Sequence, residues 1–244
     1  PTPLPMARRM PGDPGPEPCH GTLHWSLSEA ATDRLSRRAA DWGVSVHNLI
    51  QGAWAVLLGQ FSGEDDVVFG GVRACRHTGP EGTRSMVGLL INTLPVRVRL
   101  PPTMPVSEWI RSLHGQWQAL RPHETTSLVQ IQAWSPMDAG QPIFDSVVMY
   151  ENSDLETALQ ALGGAWKTRS FELSGSTGFP LVIAAFAGRQ LRIQLTHERR
   201  RIGDPEALRI GEWLVHRLGR WADEALDTVG DVFRMPAGEL QNID

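Results

Sequence analysis

The stretch that most restricts how this chain can fold is Met86-Val87-Gly88-Leu89-Leu90-Ile91-Asn92-Thr93-Leu94-Pro95-Val96-Arg97-Val98-Arg99-Leu100. Residues 87–94 are almost all apolar, which fits a strand covered on both faces. After Pro95 the pattern switches. Val96, Val98 and Leu100 alternate with Arg97 and Arg99, as in a strand with one face in solvent. Asn92 then stands as an amide inside an interior strand, beside the Thr93 hydroxyl. A buried amide without partners costs roughly 1–3 kcal/mol, which Leu or Val would avoid, so the residue has a task. Residue types alone favour a tie for the bend ahead of Pro95, with a place in a binding site as the alternative.

Around this stretch the chain alternates helix and strand signals. Residues 1–18 are rich in Pro, with Gly12 and Gly15, and read as an extended linker. Residues 22–27 alternate as a short strand. Ser26 and Glu29 fit a capping box for a helix carrying Leu35, Ala39 and Trp42, which stops at Gly43. A second helix from Ser45 presents Leu49, Ala53, Trp54, Leu57, Leu58 and Phe61 as a broad apolar stripe to lie against a sheet. Gly63 to Asp66 turns the chain into a strand over 67–72, and the loop 73–85 that follows is too polar for a core. Pro105 opens a helix with Val106, Trp109, Ile110, Leu113 and Trp117 at helical spacing. A shorter helix over 126–134 and a strand over 143–150 come next.

A short helix near 155–162, an alternating strand over 166–173 and a flexible Gly/Ser joint at 174–178 lead to a hairpin, 181–187 and 191–196. Asp204 and Pro205 cap and open the last helix, with Leu208, Leu214, Leu218, Trp221 and Leu226 as its core stripe. The expected organisation is a linker over 1–18, an α/β layered lobe over 19–226, and a linker over 227–244 toward a following domain.

Bulk properties exclude several classes. A formal net charge of −4 leaves no basic footprint for nucleic acid. Cys19 and Cys75 form neither a disulfide framework nor a metal motif and read as reduced thiols of a cytoplasmic protein. No apolar run approaches the ~20 residues of a membrane span. The eight histidines (His20, His24, His47, His77, His114, His123, His197 and His216) are never adjacent, and none is followed by x-x-x-Asp-Gly. None has a Ser, Cys or paired carboxylate at a suggestive spacing. No phosphate loop, nucleophile elbow or metal-ligand cluster is present in the sequence.

Four stretches in order carry a resemblance. Val87 to Arg97 resembles the Asn-Thr-containing core motif of the condensation domains of nonribosomal peptide synthetases. Asp65-Asp66-Val67-Val68-Phe69-Gly70 resembles the strand upstream of that motif. Leu120-Arg121-Pro122-His123-Glu124 with Leu128-Val129-Gln130-Ile131-Gln132 resembles the segment downstream. Pro142-Ile143-Phe144-Asp145 with Tyr150-Glu151-Asn152 resembles the strand after it. The resemblance runs from Pro3-Leu4-Pro5 to about Glu239 and corresponds to the C-terminal half of the family.

It implies a chloramphenicol-acetyltransferase-like lobe, a mixed β-sheet flanked by helices, forming the C-terminal half of a two-lobed domain. Donor acyl or peptidyl and acceptor aminoacyl thioesters, carried on the phosphopantetheine of partner carrier proteins, would meet in a tunnel between the lobes. The catalytic His-His-x-x-x-Asp-Gly motif of the family belongs to the N-terminal lobe and is absent from this chain. Carried over by the resemblance, the substrate-binding residues are Asn92, Thr93, Arg76, Gln132 and Tyr150, with no catalytic residue, no metal and no organic cofactor. Residue type alone makes Arg76 a surface ion pair.

Where family members commonly carry Ser-Gly-Arg this chain has Ala74-Cys75-Arg76, so only the guanidinium is kept. Asn92-Thr93-Leu94-Pro95 and Ile143-Phe144-Asp145 favour condensation over the related heterocyclisation and epimerisation domains. The implied partners are the N-terminal lobe, the carrier proteins and neighbouring synthetase domains. The alternative is a non-catalytic relative that docks a carrier protein or a tailoring enzyme.

Overall fold

The computed structural model describes residues 19–76, 82–137, 141–152, 161–166, 178–223 and 227–234, together with Thr2 and Leu4. Six of its strands build one mixed sheet in the order β1-β6-β5-β4-β2-β3. They are β1 (His20–Ser26), β2 (Asp66–Ala74), β3 (Ile91–Arg99), β4 (Ser146–Glu151), β5 (Leu181–Phe186) and β6 (Arg192–Glu198). β2, β4 and β5 run parallel to one another, while β3, β6 and β1 are added antiparallel. β5 and β6 form the expected hairpin. The helix, strand and joint expected at 155–162, 166–173 and 174–178 fall almost wholly outside the described residues.

One sheet face carries Val67, Phe69, Val96, Val98, Val148, Ile183, Ile193 and Leu195, all in the buried core. Four helices close over it: α1 (Glu29–Asp41), α2 (Val46–Ser62), α3 (Val106–Ala119) and α5 (Asp204–Asp223), with the short α4 (Leu128–Trp134) and α6 (Val229–Phe233) at the margins. α2 is buried all round from His47 to Gly59, not along a stripe alone. Its polar residues His47, Asn48 and Gln51 are therefore buried too. Ser45 caps α2 through a box with Asn48, and Gly63 ends it at φ 73°, a conformation that favours glycine. α5 comes so close to β1 that a Cβ at Gly211 would lie 2.0 Å from the Trp25 ring.

Several expectations need correction. The α1 cap is Ser28, whose Oγ accepts from the Ala31 amide at 3.3 Å. Ser26 is not free to cap because it is held in register with Arg192. Leu208 is exposed, and the core side of α5 runs instead through Ala207, Ile210, Leu214, Leu218 and Trp221. A few residues within the stretches expected to be linkers pack against the core. Leu4 joins the core and the Thr2 hydroxyl accepts the Val68 amide at 2.8 Å, where β4 has not yet begun to pair with β2. At the other end, α6 buries Val229 and Val232, and the Val232 carbonyl accepts from the buried Arg217.

The largest correction concerns β3. It is a sheet edge, not an interior strand, and the apolar run leading into it is exposed at Met86, Val87, Leu89 and Ile91. The bonds Leu100 N–H to Asp65 and Cys75 N–H to the Leu90 carbonyl show that even-numbered residues of this stretch bond toward β2. Odd-numbered residues turn their backbone outward, and three of those groups are guarded. Trp109 Nε1 donates to the Arg99 carbonyl at 2.8 Å, and Gln116 Nε2 to that of Arg97 at 2.9 Å. Pro95 has no N–H to expose, which suits an edge. The Thr93 amide donates to Asn92 Oδ1 at 2.9 Å. A guarded edge resists pairing with other chains.

Candidate functional site

Open sheets with parallel strands tend to place ligands beyond the carboxyl ends of those strands. In this fold that is where β2 and β4 end, beside the start of α2. Arg73 and Asn92 are cross-strand partners on β2 and β3, both on the helix-covered face. The turn after α3 lies against them. Arg73 Nε binds Glu124 Oε2 at 3.2 Å, with both side chains almost fully buried. The Glu124 carbonyl accepts from Asn92 Nδ2 at 2.9 Å and from the Cys75 thiol at 3.1 Å. Asn92 Nδ2 also donates to the Thr126 carbonyl at 2.7 Å.

From Arg73 a line of rings leads to β4. The guanidinium lies 4.4 Å over the Trp117 ring, and Trp117 meets His47 edge-on at 5.0 Å. His47 in turn stacks on Tyr150 at 5.6 Å. Gly71 is needed beneath this line, because a Cβ there would come within 2.6 Å of the Trp117 ring. Burial, reinforced by the nearby Arg73 charge, lowers the His47 pKa to about 4. Its Nε2 and the Gln51 Nε2, one turn further along α2, are buried without hydrogen-bond partners among the described residues. Burial also raises the Tyr150 hydroxyl above its usual range.

The five residues singled out in the sequence do not converge on one point. Asn92 and Tyr150 stand at the two ends of the contact line. Thr93 points to the opposite sheet face, against Gly70. Gln132 ties α4 to the Gln141 carbonyl. Arg76 makes no ion pair with a described residue; it grips the Met86 and Gly88 carbonyls at 2.7 and 3.3 Å. Sequence reasoning missed His47, Arg73, Trp117 and Glu124 as members of one cluster. A helix-opening His, a charged residue ending a strand and a Glu within a downstream motif were the available signals.

This arrangement is a scaffold, not a set of acid–base groups. An imidazole with a pKa of about 4 is a weak base at neutral pH, and His47 has no nucleophile beside it. No cluster of metal-ligating side chains occurs among the described residues.

Comparison with known proteins decides the lineage. A profile of the condensation-domain family matches residues 4–243. The chain belongs to the condensation-domain family. A linear gramicidin synthase polypeptide of Brevibacillus parabrevis is 31% identical over 243 residues, covering 100% of this chain and 3% of that protein. A second polypeptide of the same synthase is 36% identical over 209 residues, covering 84% of this chain and 4% of its own length. The chain therefore spans a small fraction of these curated relatives.

Among solved structures, holo-AB3403, a four domain nonribosomal peptide synthetase bound to AMP and glycine, superposes with a TM-score of 0.77 at 15% identity. The overlap covers 97% of this chain and 20% of that one. The first condensation domain of the calcium-dependent antibiotic synthetase gives a TM-score of 0.69 at 18% identity, over 86% of this chain and 46% of that one. The chloramphenicol-acetyltransferase-like fold expected of a condensation domain is thus the one observed, and the Asn-Thr motif is its edge strand.

Proposed function

We propose that this chain is the C-terminal lobe of a peptide-synthetase condensation domain. The complete domain forms an amide bond between a donor acyl or peptidyl thioester and an acceptor aminoacyl thioester, both delivered by carrier proteins. The observation that carries this reading is coverage. The fold accounts for 46% of a condensation domain solved by itself, about one of two lobes, and its buried His47 is unsuited to catalysis.

The N-terminal lobe supplies the histidine motif, and this lobe supplies one wall of the tunnel, with Asn92 and Tyr150 contributing through the cluster on the helix-covered face. The reaction needs no metal or organic cofactor of its own, and the cell compartment is the cytoplasm. No helix among the described residues is long and apolar enough to cross a membrane.

Translation of the coding sequence upstream of Pro1 tests this reading. It is expected to encode the other lobe with an intact His-His-x-x-x-Asp-Gly motif, and substitution of the motif's second His should abolish condensation by the joined polypeptide. A degenerate motif upstream would contradict the proposal and favour a docking module.

A further inference from the structure

Gln118 and His114 on α3 join Asn48 and Gln51 on α2 in a chain of hydrogen bonds whose direction is fixed. Asn48 Oδ1 accepts the Ser45 amide at 3.2 Å. His114 Nδ1 lies 2.8 Å from the same oxygen and must carry a hydrogen to bond it. In a neutral imidazole the other nitrogen is then an acceptor, and Gln118 Nε2 donates to it at 2.8 Å. On the other side, Asn48 Nδ2 donates to Gln51 Oε1 at 3.3 Å. Every bond points from Gln118 toward Gln51, and Gln51 Nε2 is the last donor.

That donor is enclosed. Gln51 is 0% exposed, and its Nε2 has no partner among the described residues; nor has His47 Nε2. The two residues are one turn apart on α2, which places them on one face of the helix. That face lies over β4. His47 stacks on Tyr150 near one end of the strand, and Trp54 Nε1 donates to Ser146 Oγ at 3.1 Å at the other. Gln51 stands between His47 and Trp54 along the helix. A buried donor and a buried ring nitrogen left unpaired side by side are costly, and such groups ordinarily have a partner.

We infer that one water molecule is built into this site, accepting a hydrogen from Gln51 Nε2 and donating one to His47 Nε2. Two polar partners are the fewest a buried water needs. A water accepting from both nitrogens would have no acceptor there for either of its own hydrogens, so His47 Nε2 is the acceptor and Nδ1 carries the ring hydrogen. The ring is neutral, because burial and the Arg73 charge lower its pKa to about 4. The water extends the directed chain from α3 through α2 to the ring that stacks on β4.

Nuclear magnetic resonance of the 244-residue chain tests the site. Long-range proton–nitrogen correlation at neutral pH is expected to show His47 and His114 as neutral rings, both hydrogenated at Nδ1. Rotating-frame cross-peaks are expected between water and the Gln51 side-chain amide, with the sign of direct contact and not of chemical exchange. Tyr150→Phe should leave these cross-peaks in place. Gln51→Met keeps the bulk and removes the donor, so the Nδ1-hydrogenated fraction of His47 should fall while His114 stays as it was.

A His47 ring hydrogenated at Nε2, or a resolved Gln51 amide without water contact, would overturn the bound water. Loss of the cross-peaks in Tyr150→Phe would give the contact to the phenol and overturn it equally. Should Gln51→Met not fold, the tautomer and the cross-peaks of the unaltered chain decide.

Discussion

At the scale of single residues, Asn92 shows how a site motif can be structural in this lobe. Both of its amide hydrogens and its oxygen are engaged, with Glu124, Thr126 and the Thr93 amide. Removing the side chain takes a partner from the Thr126 carbonyl and the Thr93 N–H and leaves the Glu124 carbonyl with the Cys75 thiol, so Asn92→Ala should cost about 1–3 kcal/mol in chemical denaturation. Stability and rate in the joined domain should then fall together. A fully stable variant with a depressed rate would contradict the clasp and restore a direct substrate role. Residue types point to a tie at Asn92, and the bonds it makes form one, although they reach the 124–126 turn and not a bend at Pro95.

His47 gives a pH prediction. Burial lowers its pKa from 6.5 to about 4, so the unfolded chain binds a proton there that the folded chain refuses. Its contribution to stability is complete above about pH 6.5 and is lost as pH falls toward 4, by roughly 3 kcal/mol over the window. Asp66 and Asp204 are held below the usual carboxylate range by bonds from Arg97 and Arg199, and their losses come below that window. Thermal melts of His47→Phe should be flatter than wild type between pH 6.5 and 4. Parallel curves would show that His47 does not titrate as buried.

At the scale of elements, the edge strand is the informative case. Gln116→Leu keeps the bulk over β3 but frees the Arg97 carbonyl. It should move stability by no more than about 1 kcal/mol, yet increase concentration-dependent association in sedimentation. Unchanged sedimentation at raised concentration would mean the guard is dispensable. Most elements were legible from sequence because their signals are local. The α2 cap at Ser45, the stop at Gly63 and the β5–β6 hairpin follow from neighbouring residues.

The location of β3 was not legible. A continuous apolar run reads as two-sided burial, and nothing local distinguishes a strand covered by its own chain from a strip left bare in it. The contact line Arg73–Trp117–His47–Tyr150 was hidden for a related reason. Its members come from β2, α3, α2 and β4 and meet only through the parallel pairing of β2 with β4. The burial of Leu4 and of Val229 was missed because Pro-rich and loosely patterned termini carry no periodicity, while one or two apolar side chains suffice to anchor them.

At the scale of the whole molecule, the chain has a partly guarded edge, a helix-covered face and an exposed apolar strip, and the buried imidazole of His47 is a weak base. Its buried polar cluster shapes and steadies the end of the sheet, while the proposed function gives the chemistry to the other lobe. The most direct measurement supplies the 244-residue chain by itself with donor-loaded and acceptor-loaded carrier proteins and follows condensed product by mass spectrometry. No product above the uncatalysed background is expected from this chain, and turnover is expected when the upstream lobe is joined to it. Condensation by the chain alone, well above background, would contradict the division of labour between lobes and place a catalytic base among its own histidines.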